Sequence, residues 1–161
     1  MTTRYLLPLL LCLLFSTAFT SSEKAPAPRA EIEWLEYEEA RQRMQKEPRK
    51  ILLDVYTTWC YWCKVMDSTT FKDETVTAYV NQHFYAVKLH AESYRELNFK
   101  GEKVSEYQLS RDLGVASFPT IVLLDEQLEN PENIEGYRKP GNFMRQLEKF
   151  VQQNSASARK P

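Results

Sequence analysis

Cysteine and histidine are scarce in this chain: 161 residues include three cysteines and two histidines. A structural zinc site normally takes four ligands. Cys60 and Cys63 are joined only by His83 and His90, which lack paired spacing, so no metal is expected. Charge of one sign is also missing, since 21 Lys and Arg face 22 Asp and Glu for a net charge of −1. No basic face is implied, and nucleic acid is not an expected partner. The apolar run from Leu6 to Phe15 is too short to cross a bilayer. There are no internal repeats, which excludes a solenoid.

The first residues carry one positive charge, Arg4, then that apolar run, then small and polar residues from Ala18 to Ser22. This is the layout of a secretory signal peptide over residues 1–22. Cys12 lies inside it, and the large Leu11 before it does not suit a lipidation site, so Cys12 is expected to leave with the leader. Pro26 and Pro28 mark residues 23–30 as a flexible linker. A single domain is expected over 31–153, followed by a disordered tail at 154–161. Removing the leader takes away only Arg4 among the charged residues, so the remainder stays slightly acidic.

Within the domain, Glu31 to Trp34 alternates as a short edge strand does, and Leu35 to Glu47 has helical periodicity ending at Pro48. Ile51 to Tyr56 reads as a buried strand, and a helix is expected from Cys60 toward Asp67. The polar patch Ser68 to Thr70 interrupts it, and Asp73 caps a second helical piece whose inner face carries Val76, Tyr79 and Val80. Phe84 to Leu89 is apolar on both faces, like a parallel strand under helices. His90 to Gly101 has little periodicity and reads as a long binding loop. A helix over Lys103 to Leu113 is expected to stop at Gly114. Strands follow at Thr120 to Leu124 and Ile134 to Tyr137, with a turn at Asn130-Pro131 between them. A last helix starts at Gly141 or Asn142 and turns Phe143, Leu147, Phe150 and Val151 inward.

The chemistry concentrates at Cys60 and Cys63. Two cysteines three apart at a helix start lie close enough to bond, and the mature chain has no third cysteine. The helix N-terminus supplies free N–H groups and the positive end of the dipole, which favour a thiolate at Cys60. A purely structural disulfide is the plain alternative, yet so small a ring constrains the unfolded chain little. Asp54 stands in an otherwise apolar strand: alternation permits a solvent-facing place, and a buried one would require pairing or protonation. Lys88 is either a snorkelling surface lysine or the partner of Asp54 on the neighbouring strand. Trp59, Tyr61, Trp62 and Phe118 are core aromatics in the plain reading. Tyr61 and Trp62 lie between the cysteines, however, and are read as a partly exposed docking surface. His83 and His90 are assigned structural roles.

Ile51 to Lys64 resembles the active-site segment of the thioredoxin superfamily: an apolar run, an Asp six residues before the first Cys, then Trp-Cys-x-x-Cys-Lys. Phe118-Pro119-Thr120 resembles that family's cis-proline loop, Val87-Lys88-Leu89 its lysine-bearing strand, and Gly136 the glycine before its last helix. The run from Asp54 through Trp59-Cys60-Tyr61-Trp62-Cys63-Lys64 to Met66, with Trp34 upstream, is closer still to exported domains similar to the terminal domain of the transmembrane disulfide reductase. It departs from thioredoxin itself in having Tyr61-Trp62 where a Gly-Pro pair is usual.

The resemblance implies an α/β thioredoxin fold, with a central mixed sheet of about four to five strands and helices on both faces. It implies a thiol-disulfide oxidoreductase whose catalytic residues are Cys60, Cys63, Asp54 and Lys88. Substrate would contact Trp59, Tyr61, Trp62, Phe118 and a cis Pro119. No cofactor is expected beyond the Cys60–Cys63 disulfide. The expected partners are proteins with disulfides or thiols and a membrane-bound electron donor, with the protein a monomer in the periplasm or otherwise exported. The tail carries no endoplasmic-reticulum retention signal. Because Tyr61-Trp62 offers no cation to steady a thiolate, reduction of protein disulfides is the expected direction. A dithiol oxidase or isomerase, or a non-catalytic binding module of the same fold, remain the alternatives.

Overall fold

The computed structural model describes residues 31–157. The leader expected at 1–22, the linker at 23–30 and the last four residues lie outside the described residues. A two-residue strand, β1 (Trp34–Leu35), leads into helix α1 (Tyr37–Lys46). Glu38 and Glu39 occupy its first turn and Arg43 and Lys46 its last, as the helix dipole favours. Strand β2 (Lys50–Tyr56) then passes through the centre of the molecule, with every residue but Tyr56 buried.

Helix α2 (Tyr61–Ser68) starts one residue past Cys60, which serves as its N-cap. It ends where the Ser68 and Thr69 hydroxyls donate back to the Val65 carbonyl. A single 3-10 turn (Thr70–Lys72) follows. Asp73 then caps helix α3 (Glu74–His83), its carboxylate accepting from the Thr75 and Val76 N–H groups. Of the inward face expected there, Val76 and Val80 are buried and Tyr79 only partly so; Thr77 is buried instead.

After β3 (Phe84–His90) the sequence-based reading needs correction. The expected loop at 90–101 contains strand β4 (Glu96–Phe99), paired antiparallel with β5 (Glu102–Ser105) as a separate two-stranded sheet. The two-residue turn between them places Lys100 at φ 54° and Gly101 at φ 93°, the left-handed pair that closes tight hairpins. Leu97 is buried and Phe99 packs near Tyr37 of α1. Helix α4 (Glu106–Asp112) is correspondingly shorter than expected, because residues 103–105 extend β5 and the Ser105 hydroxyl caps the helix by accepting the Gln108 N–H.

Strand β6 (Thr120–Leu124) falls where expected, but β7 (Glu132–Glu135) sits two residues early. Gly136, at φ 72°, turns the chain out of the sheet before Tyr137. Helix α5 (Pro140–Ser157) extends into the segment expected to be a disordered tail from 154. Residues 154–157 contain no glycine or proline to stop it.

The main sheet has the order β1-β3-β2-β6-β7, with β1, β3 and β2 parallel and β6 and β7 antiparallel. Alternation along β2 divides the core. Leu52 packs with Met66, Phe71, Phe143 and Phe150 on one face. Ile51, Leu53 and Val55 pack with Tyr37, Ala40, Leu97 and Leu109 on the other. Asp54 shares the face of Leu52 by period-two alternation, which places a carboxylate under α2.

Candidate active site

Cys60 and Cys63 form a disulfide, with their Cα atoms 5.3 Å apart. The backbone reaches this geometry through a turn in which the Cys60 N–H donates to the Thr57 carbonyl at 3.3 Å. Cys60 Sγ accepts the Cys63 N–H at 3.1 Å, so the first cysteine caps α2 with its sulfur. That N–H is one of the donors a helix start leaves unpaired, and it points at the Cys60 sulfur, where a donor favours negative charge. Both cysteines are 4% exposed, so the sulfur at which the helix start favours a thiolate is covered in the disulfide form. The sulfur of Cys60 is drawn back onto the helix start, between Trp59 at 65% and Tyr61 at 67% exposure.

Aromatic side chains ring the disulfide. Trp59 meets Phe118 edge-on at 5.9 Å between centroids, which brings the 117–119 loop alongside the cysteines. The Phe118–Pro119 peptide is cis. Thr120, the next residue, pairs with Val55 of β2, so this loop and the cysteine turn share one end of the sheet. The Pro119 carbonyl accepts the Gly136 N–H at 2.7 Å. No hydrogen bond from the described residues engages the main-chain N–H or C=O of Phe118.

Tyr61 contacts Trp62 edge-on, and Trp62, 53% exposed, stacks on Tyr137 at 5.5 Å. The sequence reading missed Tyr137 as a site residue. Its one signal was its place directly after Gly136. On the other side, Trp59 Nε1 donates to Glu92 at 3.0 Å, a second contact that no local pattern showed.

Between α2 and the sheet lies a charged group of three. Asp54 is buried, and Lys88 Nζ donates to it at 2.8 Å and to Asp67 of α2 at 2.6 Å. Burial pushes the Asp54 carboxyl above its ordinary range; Lys88 opposes this and Asp67 adds to it. Burial alone would lower the Lys88 ammonium, but Asp54 and Asp67 together hold it above its usual value. The ammonium lies 4.6 Å from the centroid of the Trp34 ring and 5.3 Å from that of Tyr56. Asp67 was not anticipated as part of this group. A cleft of about 630 Å³, lined by Trp34, Tyr56, Thr58, Lys88, His90 and Arg95 among others, reaches this group at Lys88. His90 packs on Tyr56 and His83 on Tyr79, so both histidines have aromatic neighbours.

Residues 37–151 match the family model of the thioredoxin-like domain. The chain belongs to that family. This thioredoxin-like domain is 28% identical over 109 residues to the thiol:disulfide interchange protein DsbD of Pectobacterium atrosepticum, covering 66% of the chain but 17% of that much longer protein. It is also 28% identical to a thioredoxin-like protein of Synechocystis, covering 65% of the chain and 84% of the relative. A thioredoxin from Thermus thermophilus superposes with a TM-score of 0.63 at 20% identity, covering 80% of this chain and 93% of that one. The fold is therefore the thioredoxin fold. With a Cys-x-x-Cys disulfide at the start of α2, the thioredoxin-like domain carries the cysteine pair that thiol-disulfide exchange requires.

Proposed function

We propose that this thioredoxin-like domain works outside the cytoplasm and reduces disulfides in other proteins through Cys60 and Cys63. The observation that carries the chemistry is the hydrogen bond from the Cys63 N–H to Cys60 Sγ at the start of α2. It gives the charge of a Cys60 thiolate a built-in donor. Support for export comes from the leader pattern in residues 1–22. No helix among the described residues is long and apolar enough to cross a membrane.

In the working direction, the Cys60 thiolate attacks one sulfur of a substrate disulfide, and the other leaves as a thiolate that takes a proton. Cys63 gives its proton to Asp54 and attacks the Cys60 sulfur of the mixed disulfide. The substrate sulfur bonded to Cys60 leaves as a thiolate and takes the proton from Asp54, so the substrate has gained two electrons and the enzyme is left oxidised as the Cys60–Cys63 disulfide. Lys88 keeps a positive charge beside Asp54 throughout. A membrane-bound dithiol donor then returns the electrons. No cofactor enters these steps.

A substrate strand is held by the free main chain of Phe118 next to Pro119, in the manner of added-strand recognition. Trp59, Tyr61 and Trp62 supply the apolar contacts. Approach to the sulfur requires a flanking aromatic side chain to move aside, which the exposure of Trp59 and Tyr61 permits. The direction rests on the absence of a cation between the cysteines, where Tyr61 and Trp62 stand.

Cys60→Ser is expected to abolish reduction of insulin disulfides, and Cys63→Ser to accumulate mixed disulfides with natural substrates. Full activity in Cys60→Ser would remove that residue from the role. A redox potential near about −120 mV, that of a strong oxidase, would reverse the assigned direction. Alkylation trapping in cells separates the cases further: a reductase is found mostly reduced.

A further inference from the structure

Thr57 has no part in the scheme above, yet its hydroxyl is the most anomalous polar group near the cysteines. The residue is 1% exposed, and Thr57 Oγ1 is buried without a hydrogen-bond partner among the described residues. A buried hydroxyl left unpaired is unfavourable, and valine would fill the same space without that penalty. Such a group calls for a reason. Its position suggests one: Thr57 opens the turn whose last residue is Cys60, and the Thr57 carbonyl already takes the Cys60 N–H.

The disulfide is the state in which neither sulfur carries charge. Two electrons and one proton from a dithiol donor convert it to a Cys60 thiolate and a Cys63 thiol. In the disulfide, Cys60 Sγ has one donor among the described residues, the Cys63 N–H. A full negative charge on sulfur in so covered a place calls for more. We propose that the Thr57 hydroxyl is a second donor to the Cys60 thiolate, unpaired in the disulfide form and engaged only after reduction. Thr57 is thus a positioning and charge-stabilising residue that biases the couple toward its reduced form.

This inference rests on the reading of Cys60 and Cys63 as an exchanging pair, and the experiment separates the two. Mature wild-type protein, Thr57→Val and Thr57→Ser are equilibrated with reduced and oxidised glutathione, and the Cys60 titration is followed by the pH dependence of iodoacetamide alkylation. Asp54 on β2, Asp67 on α2, Lys88 on β3 and Glu92 in the loop after it are unchanged in all three, so their influence cancels. Thr57→Val is expected to move the equilibrium about tenfold toward the disulfide and to raise the Cys60 titration by about one pH unit, the weight of one charge-assisted hydrogen bond. Thr57→Ser, which keeps the hydroxyl, is expected to stay near wild type.

Urea unfolding of both redox forms supplies the readout that a merely structural role would not move. Thr57→Val should stabilise the disulfide form, where the hydroxyl is unpaired, and fail to stabilise the dithiol form. Equal stabilisation of both forms, or an unchanged glutathione equilibrium and alkylation profile, would overturn the role of Thr57. If Thr57→Val does not fold, Thr57→Ala against Thr57→Ser gives the same comparison. A wild-type protein that does not exchange with glutathione at all would instead sink the reading of the cysteine pair.

Discussion

Asp54 and Lys88 face each other in register across β2 and β3, and their side chains meet at 2.8 Å. The pair is asymmetric: Asp54 is buried, whereas Lys88 is partly exposed and also holds Asp67. Burial therefore governs the carboxyl and raises its titration despite the adjacent ammonium.

The pH dependence of stability follows from that direction. A carboxyl whose folded pKa lies above its unfolded one stabilises the fold fully below the unfolded value, near 3.8. That contribution is lost as pH rises through the folded value. Wild-type protein should thus lose stability relative to Asp54→Asn as pH rises from the unfolded value upward, measured by urea unfolding of the disulfide form over a series of pH values. A difference between the two proteins that is constant across this range would show that Asp54 titrates normally.

Trp62 stacks on Tyr137, which extends the proposed docking surface past the residues between the cysteines. Tyr137→Ala is expected to lower kcat/KM for a protein disulfide about five- to thirtyfold, equivalent to about 1–2 kcal/mol for an interface aromatic. Exchange with dithiothreitol, which needs no docking, should change little. Equal loss for both substrates would mean that Tyr137 supports the fold rather than binding.

Gly136 links β7 to the proline loop, donating its N–H to the Pro119 carbonyl from a left-handed conformation at φ 72°. An added Cβ would have room, its nearest contact being Arg138 at 3.6 Å, so the effect of Gly136→Ala comes from the backbone. A loss of about 1–2 kcal/mol is expected, read from the urea midpoint. Wild-type stability in the variant would contradict this account of the turn.

Leu97 anchors the β4–β5 hairpin by burying its side chain in the core. Leu97→Ala should destabilise by about 2–4 kcal/mol. Amides of β4 and β5 should then exchange faster than those of β2, because the hairpin pairs only with itself. Unchanged exchange in the hairpin would assign its stability to other contacts.

The sequence by itself determined what depends on short-range pattern. The apolar run of β2, the cysteine pair at the start of α2, the Asp73 cap and the inward face of α5 all follow from local spacing and charge placement. The resemblance added the offset that pairs Asp54 with Lys88, because strand register carries it. Only the tertiary structure decided which distant residues meet. Tyr137 reaches Trp62, and Asp67 reaches Lys88, through the sheet order and the placement of α2, which no periodicity encodes. The hairpin at 96–105 was hidden because its strands are four residues each, too short for alternation to register, and its one buried residue, Leu97, reads as an isolated leucine. The equal covering of the two cysteines and the burial of the Thr57 hydroxyl belong to the same class. Burial is a property of everything packed around a residue, and most of those neighbours are far away along the chain.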